Sequence, residues 1–249
     1  NRKITLLGLH DNCELITYGE HIKFLKIGIN SYEDIINIAS INGVKSVDFF
    51  QEYSLPKDDF SSTDLKMLLE HEYTDSEVSI GIIDGGISAD NPYLKPYIIA
   101  REEYVSEVYQ NPHHATFIAS TIQYGNLLNG ISSPTCHRFK FVDIIAMPNS
   151  DKKFGPTDSI SEYDLMEIIE EVMEKYSHST KIWNISLGIE NKPCSGTMSD
   201  LGVFLDYIQD KYHVQMFVSS GNINDLPLRT WPPQSGLGEH DRLISPADS

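Results

Sequence analysis

The sequence is short of basic residues and of long apolar runs. It carries 19 lysine and arginine residues against 36 aspartate and glutamate residues, which gives a net charge of -17. This excess disfavours binding to nucleic acids or to anionic membranes, because few cations are available to neutralise phosphates. No run approaches the roughly 18 consecutive apolar residues of a membrane span, so the sequence predicts no transmembrane helix.

Cysteines and targeting signals are also scarce. Cys13, Cys136 and Cys194 are odd in number and too far apart for a disulfide framework or a zinc signature. Reduced thiols in a cytoplasmic protein are the simplest interpretation. The opening residues, NRKITLLGLHDNCE, lack the apolar stretch and the small-residue cleavage site of a secretory signal. We therefore expect a cytoplasmic protein.

The chain does have the apolar content of a folded protein. Hydrophobic residues make up 40% of its 249 residues, enough for one large domain with or without a small appendage. Residues 1–55 predict a small α+β domain, with strands at ITLLGL and KFLKIGI and a helix at SYEDIINIAS that Ser31 would cap. Residues 56–76 are polar and predict a linker.

Apolar strands and amphipathic helices alternate over residues 77–249. The predicted strands are EVSIGIID, RFKFVDIIAM, KIWNISLG and VQMFVSSGN. Helical spacing of apolar residues occurs in HATFIASTIQY, SISEYDLMEIIEEVMEKY and DLGVFLDYIQDKY. A capping box of Ser159 and Glu162 would start the second of these helices. The alternation predicts an α/β fold with a doubly wound, mostly parallel sheet.

Polar residues stand where ligands bind in such sheets, at the carboxyl ends of strands. Asp84 ends SIGIID and is followed by two glycines, and it is either a site residue or only a cap of the next turn. Asn222 follows VQMFVSSG, where it could donate a hydrogen bond into the same cleft or serve only as a turn residue. A nucleotide site is disfavoured, because DGGISADNP is not G-x-G-x-x-G and Pro92 interrupts the phosphate-binding helix.

Two adjacent histidines open the helix at HATFIASTIQY. His113, His114 and Asp84 could form a metal site, but histidines at i and i+1 are poor joint ligands because their side chains point about 100° apart on a helix. We expect His113 to lie in the preceding loop. A carboxylate, a histidine and an amide at neighbouring strand and helix ends together favour a catalytic site.

Four stretches, in order, resemble the subtilisin-like serine proteases, the subtilases. VSIGIIDGGI resembles the strand of the catalytic aspartate, HATFIAS the H-G-T-H-V-A-G block, NISLG the substrate-binding strand, and FVSSGN the strand before the oxyanion-hole asparagine. The resemblance implies catalytic roles for Asp84 and His114 and an oxyanion-binding role for Asn222. It also implies backbone groups that bind an extended polypeptide substrate, at Ser186, Leu187 and Gly188. No cofactor is implied, and calcium, although possible, cannot be assigned to residues.

The nucleophile of the family is missing from these residues. Its serine lies in a G-T-S-x-A block downstream of the asparagine, and no such block occurs in the sequence. CSGTMSD contains Gly196 and Thr197, but methionine follows and the segment precedes the strand before Asn222. We therefore expect an incomplete subtilisin-like sheet, with the serine in missing polypeptide of the same or another chain. The segment alone should be inactive.

The region upstream also resembles the family. KFLKIGINSYEDIINIASINGVKSVDFFQEYS is similar to the second half of the subtilase propeptide, which implies a ferredoxin-like inhibitory domain over 1–55, a zymogen, and cleavage within 56–76. A generic accessory domain would give the same pattern. Ala115, Phe117 and Ser120 depart from the H-G-T-H-V-A-G block. These departures keep open a catalytically inactive subtilase fold that serves as a regulatory or protein-binding module.

Overall fold

The structure, a computed structural model, covers most of the predicted elements. It describes residues 13–18, 22–44, 46–47, 52–53, 74–128, 137–186 and 198–219. The chain divides into two compact units, Asn1–Phe50 and Gln51–Ser249. The predicted strand ITLLGL and most of the predicted linker at 56–76 lie outside the described residues, as do Leu187, Gly188 and Asn222.

The smaller unit contains a β-hairpin and a helix. Strand β1 (Cys13–Tyr18), which was not predicted, pairs antiparallel with β2 (Ile22–Ile27). Helix α1 (Tyr32–Ala39) follows, and the hydroxyl of Ser31 caps it by accepting from the backbone N–H of Asp34. The carboxylate of Asp34 accepts in return from the backbone N–H of Ser31 at 2.9 Å, which completes a capping box. The predicted cap is confirmed, and the ferredoxin-like topology stays a prediction.

Five parallel strands form the sheet of the larger unit, as far as the described residues show it. They are β4 (Thr74–Asp84), β5 (Ile98–Glu103), β6 (His137–Ile145), β8 (Ile182–Ile185) and β9 (Gln215–Val218). Their order is β5-β6-β4-β8-β9, and each neighbouring pair is parallel. The chain moves from β4 to one side of the sheet and then to the other, so the predicted doubly wound α/β fold is confirmed. The carboxyl end of β4 is the point where the strand order changes direction, and ligands bind there in such sheets.

Among the described residues of this unit, three α-helices, two 3-10 turns (Lys95–Tyr97 and Glu107–Tyr109) and one short strand pair accompany the sheet. The helices are α2 (His113–Leu128), α3 (Glu162–Tyr176) and α4 (Asp200–Tyr212). Helix α2 contributes Ala115 and Ala119 to a buried cluster that also contains Ile80 and Ile82 of β4. Strands β3 (Glu52–Tyr53) and β7 (Ile160–Ser161) pair antiparallel next to the start of α3. None of the described helices combines the length and the apolar character needed to cross a membrane.

Helix α3 begins later than predicted. The capping box of Ser159 and Glu162 is wrong, because the chain is still in strand β7 at residue 160. The N-cap is Ser161, whose hydroxyl oxygen accepts from the backbone N–H of Asp164 at 3.2 Å. Glu162 is instead a buried residue of the first helical turn, and its carboxylate accepts from a backbone N–H at the start of α4.

Candidate active site

The predicted Asp84 and His114 lie in direct contact. Asp84 is the last residue of β4 and His114 is the second residue of α2, and both are buried, with exposed fractions of 0% and 6%. Nδ1 of His114 lies 2.7 Å from Oδ2 of Asp84. An ionised carboxylate only accepts hydrogen bonds, so we assign the imidazole proton to Nδ1. Nε2 then keeps its lone pair and can act as a base.

Backbone groups hold Asp84 in place. Its Oδ1 accepts from the N–H of Gly85 at 2.6 Å. Its carbonyl oxygen accepts from the N–H groups of Ala146 and Met147, just beyond β6, at 2.9 and 3.0 Å. Gly86 has a φ of +94°, and a Cβ there would come within 2.8 Å of a side chain of β6. The turn after Asp84 therefore requires glycine at this position.

The start of α2 is fixed from two sides. The side-chain oxygen of Asn111 accepts from the N–H of His113 at 3.2 Å, and the amide of Asn111 donates to Asn149 at 3.0 Å. The hydroxyl of Thr116 accepts from the N–H of Ser88 at 2.8 Å, which ties the helix to the loop after β4. These contacts restrict the orientation of the imidazole that the helix carries.

The two adjacent histidines have different surroundings. His113 is exposed and is the first residue of α2, so its predicted position in a loop is wrong. Its ring stacks on Phe154 with the ring centroids 4.4 Å apart. His114 is the histidine that contacts Asp84. Within the part of the chain that the structure describes, no three His, Cys, Asp or Glu side chains are arranged to hold a metal ion.

A second buried carboxylate lies one strand away from Asp84. Asp143 in β6 has no exposed surface and accepts from Nε of Arg101 in β5 at 2.9 Å and from a terminal guanidinium nitrogen at 2.7 Å. The N–H of Ile87 donates to both carboxylate oxygens, at 3.0 and 3.1 Å. Burial is the largest influence on Asp143 and, together with the charge of Asp84, raises its pKa to about 6, although Arg101 opposes the rise.

Asp143 and Arg101 were not predicted from the sequence. The available signal was a single carboxylate inside the apolar run RFKFVDIIAM. A buried charge of this kind needs a partner, so this residue could have indicated a cation on a neighbouring strand. The identity of that cation could not be read, because the strand that carries Arg101 was not predicted.

The predicted substrate-binding strand is described only at its beginning. Ser186 follows β8 and is buried, and its hydroxyl donates to the side-chain oxygen of Asn184 at 2.9 Å. Leu187 and Gly188 lie outside the described residues, as does Asn222. The structure therefore brings together Asp84 and His114 and leaves the other predicted site residues as predictions.

One family model matches the larger part of the chain. The family model described as the subtilase family matches residues 75–246, which is more than half of the chain. The match begins within β4 and extends past Asn222. No curated protein matches the chain significantly.

Proposed function

The chain belongs to the subtilase family of serine peptidases, and from this premise we propose that Asp84 and His114 act in the hydrolysis of peptide bonds. The buried hydrogen bond between them is the observation that carries the proposal. The reaction is that of a serine endopeptidase acting on a polypeptide. Its nucleophilic serine would come from polypeptide outside these 249 residues, in the same or another chain, since they hold no G-T-S-x-A block.

The arrangement of the imidazole suits general base catalysis. Nδ1 of His114 is held by Asp84, so Nε2 is the nitrogen that would take the proton of the attacking serine. The same nitrogen would return that proton to the leaving amine. Asp84 would stabilise the imidazolium formed in between, and burial of the pair strengthens this interaction because little water screens it.

Two further roles follow from the family. Asn222 would donate its side-chain amide to the oxyanion of the tetrahedral intermediate, and loss of the corresponding donor in subtilisin itself costs roughly 2.7–4 kcal/mol. The backbone of Ser186, Leu187 and Gly188 would pair with an extended substrate. The hydroxyl of Ser186 is engaged with Asn184, which supports a backbone role rather than a side-chain role at this residue.

The departures from the family's histidine block do not disturb the pair. The hydrogen bond of His114 to Asp84 forms although Ala115, Phe117 and Ser120 replace the usual residues. The alternative, an inactive regulatory or binding module, therefore depends on whether the protein has the nucleophilic serine. A full-length chain without a G-T-S block would favour that alternative.

We also propose that the N-terminal region holds the enzyme as a zymogen. Strand β3 lies in the larger unit, where Tyr53 is 2% exposed and its hydroxyl lies 3.4 Å from the carboxylate of Glu162. Glu52 accepts from the hydroxyl of Ser159 at 2.8 Å. This short strand supports the proposal, because the end of the propeptide-like sequence pairs with β7 next to the start of α3.

Labelling with a fluorophosphonate tests the peptidase proposal. The full-length protein should react at one serine, because this reagent modifies serines that are activated by a neighbouring base. Replacement of His114 by alanine should abolish the labelling. Absence of label from folded protein with Asp84 and His114 intact would contradict the proposal and favour the inactive module.

A further inference from the structure

Asp143 and Asp84 share one face of the sheet. Asp143 is in register with Ile82 of β4 and with Arg101 of β5. Residues in register on neighbouring strands point to the same face, and so do residues two apart on one strand. Asp84 follows Ile82 by two positions, so the two carboxylates lie on the face that carries the helix of His114.

The pair of Asp143 and Arg101 holds both backbone groups of Ile87. The carboxylate of Asp143 accepts from the N–H of Ile87, and a terminal guanidinium nitrogen of Arg101 donates to the carbonyl oxygen of Ile87. The side chain of Ile87 is buried in the same apolar cluster as Ala115, the residue after His114. Ile87 is therefore fixed through its backbone and its side chain.

Ile87 lies in the loop that directly follows Asp84 at the end of β4. Only Gly85 and Gly86 separate it from Asp84, and glycine alone gives a loop little rigidity. The next residue, Ser88, donates its N–H to the hydroxyl of Thr116 on α2. The orientation of the Asp84 carboxylate toward α2 thus depends on where Ile87 is held.

We propose that Asp143 and Arg101 are positioning residues for the Asp84–His114 hydrogen bond. They anchor Ile87, which fixes the loop after Asp84 and thereby the orientation of the Asp84 carboxylate toward His114. The inference rests on the proposed function of Asp84 and His114. Among the described residues, the charged groups that act on Asp143 are Arg101 on β5 and Asp84 on β4. The burial-raised pKa of Asp143 leaves it ionised at neutral pH.

The imidazole of His114 reports on this role directly. In nuclear magnetic resonance of the chain, Asp143→Asn should move the titration midpoint of His114 to lower pH by about half a unit or more, because a displaced Asp84 carboxylate stabilises the imidazolium less. The signal of the proton between Nδ1 and Asp84 should weaken. Glu102→Gln is the matched control, since Glu102 lies on the same strand as Arg101 and pairs with Lys175 instead. It should leave both signals unchanged.

Activity gives a second readout. In the full-length peptidase, Asp143→Asn should lower kcat about tenfold with little change in KM, because a misplaced base slows the chemical step more than it weakens substrate binding. The titration of His114 needs no nucleophile. An inactive full-length protein would therefore overturn the proposed function without affecting the titration result.

Two outcomes would overturn the positioning role. One is an unchanged His114 titration and an unchanged Nδ1 proton signal in folded Asp143→Asn. If that variant does not fold, Arg101→Lys is measured in the same way, because Arg101 is 24% exposed and lysine keeps its charge. Unchanged His114 signals in Arg101→Lys would likewise show that Asp143 and Arg101 form a structural ion pair without a positioning role.

Discussion

At the residue scale, Asp84 and Asp143 are buried carboxylates with different partners. Asp84 accepts from His114 and from a backbone N–H, whereas Asp143 accepts from Arg101 and from Ile87. The folded pKa of Asp143, about 6, lies above its ordinary value of 3.8. The folded protein therefore binds more protons than the unfolded chain between these two values. The contribution of Asp143 to stability consequently falls as the pH rises through this window and is constant above it.

Asp143→Asn should remove this pH dependence. Between pH 7 and pH 5 the wild-type protein should gain about 1.4 kcal/mol of unfolding free energy relative to the variant, because pH 5 lies one unit below the folded pKa. Urea unfolding at the two pH values measures the difference. The difference in unfolding free energy between the wild type and Glu102→Gln should change little between pH 7 and pH 5. Lys175 and Tyr176 lower the pKa of Glu102, so Glu102 stays ionised over this range in the folded protein. An equal change in unfolding free energy between the two pH values for the wild type and Asp143→Asn would contradict the raised pKa.

The sequence was sufficient to single out Asp84 and His114 and insufficient to find the residues that support them. Asp84 and His114 could be predicted because each occupies a local position with a recognisable pattern, a strand end and a helix start. Asp143 and Arg101 stand inside strands, and their roles depend on the register between β5 and β6. Register between distant strands is set by packing and leaves no local pattern in the sequence.

At the element scale, the predicted sheet is correct where strands are apolar and buried. Strand β5 was missed because it lies at the edge of the described sheet and ends in Arg101, Glu102 and Glu103, charges that edge strands tolerate. The start of α3 was misplaced for another reason. Ser159 and Ser161 both precede acidic residues at capping distance, and the pairing of β7 with β3 decides between them.

The packing of β4 on β8 depends on Gly81. A Cβ at this position would lie 2.0 Å from Cε3 of Trp183, which is fully buried and is fixed by a hydrogen bond from Nε1 to the carbonyl oxygen of Thr180. Gly81→Ala should lower the unfolding free energy by about 1–3 kcal/mol or more, because the indole cannot move away. Gly125→Ala in α2 is the control, since a Cβ there meets only ordinary contact at 3.5 Å.

The control substitution, Gly125→Ala, should change the unfolding free energy in the opposite direction. Alanine is favoured over glycine inside a helix by roughly 0.8–1 kcal/mol, so Gly125→Ala should stabilise the protein. Urea unfolding of both variants measures the two effects. Equal stability of Gly81→Ala and the wild type would mean that Trp183 does not occupy the space above Gly81.

At the scale of the whole molecule, two compact units share a chain with a net charge of -17. The proposed zymogen requires the N-terminal region to stay bound to the peptidase unit until it is cleaved. Within the larger unit, the end of the propeptide-like sequence is attached through β3, in which Tyr53 buries an aromatic ring beside the start of α3. Burial of a large aromatic side chain stabilises an attachment by several kcal/mol.

Weakening this attachment should activate the full-length protein. Tyr53→Ala should raise the initial rate of fluorophosphonate labelling about tenfold, because truncation of a buried aromatic ring costs ~3–5 kcal/mol. Tyr32→Ala is the control, since Tyr32 on α1 is 76% exposed. A loss of stability in Tyr53→Ala without any rise in labelling would contradict an inhibitory role for the N-terminal region.

Peptide hydrolysis by His114→Ala and His113→Ala variants of the full-length protein bears most directly on the catalytic assignment. Loss of the base should reduce kcat by roughly 10⁶-fold, as loss of the catalytic histidine does in subtilisin. His113 is exposed and stacks on Phe154, so His113→Ala should change kcat/KM by less than about tenfold. Full activity in His114→Ala, or a large loss confined to His113→Ala, would contradict the assignment of His114 as the general base.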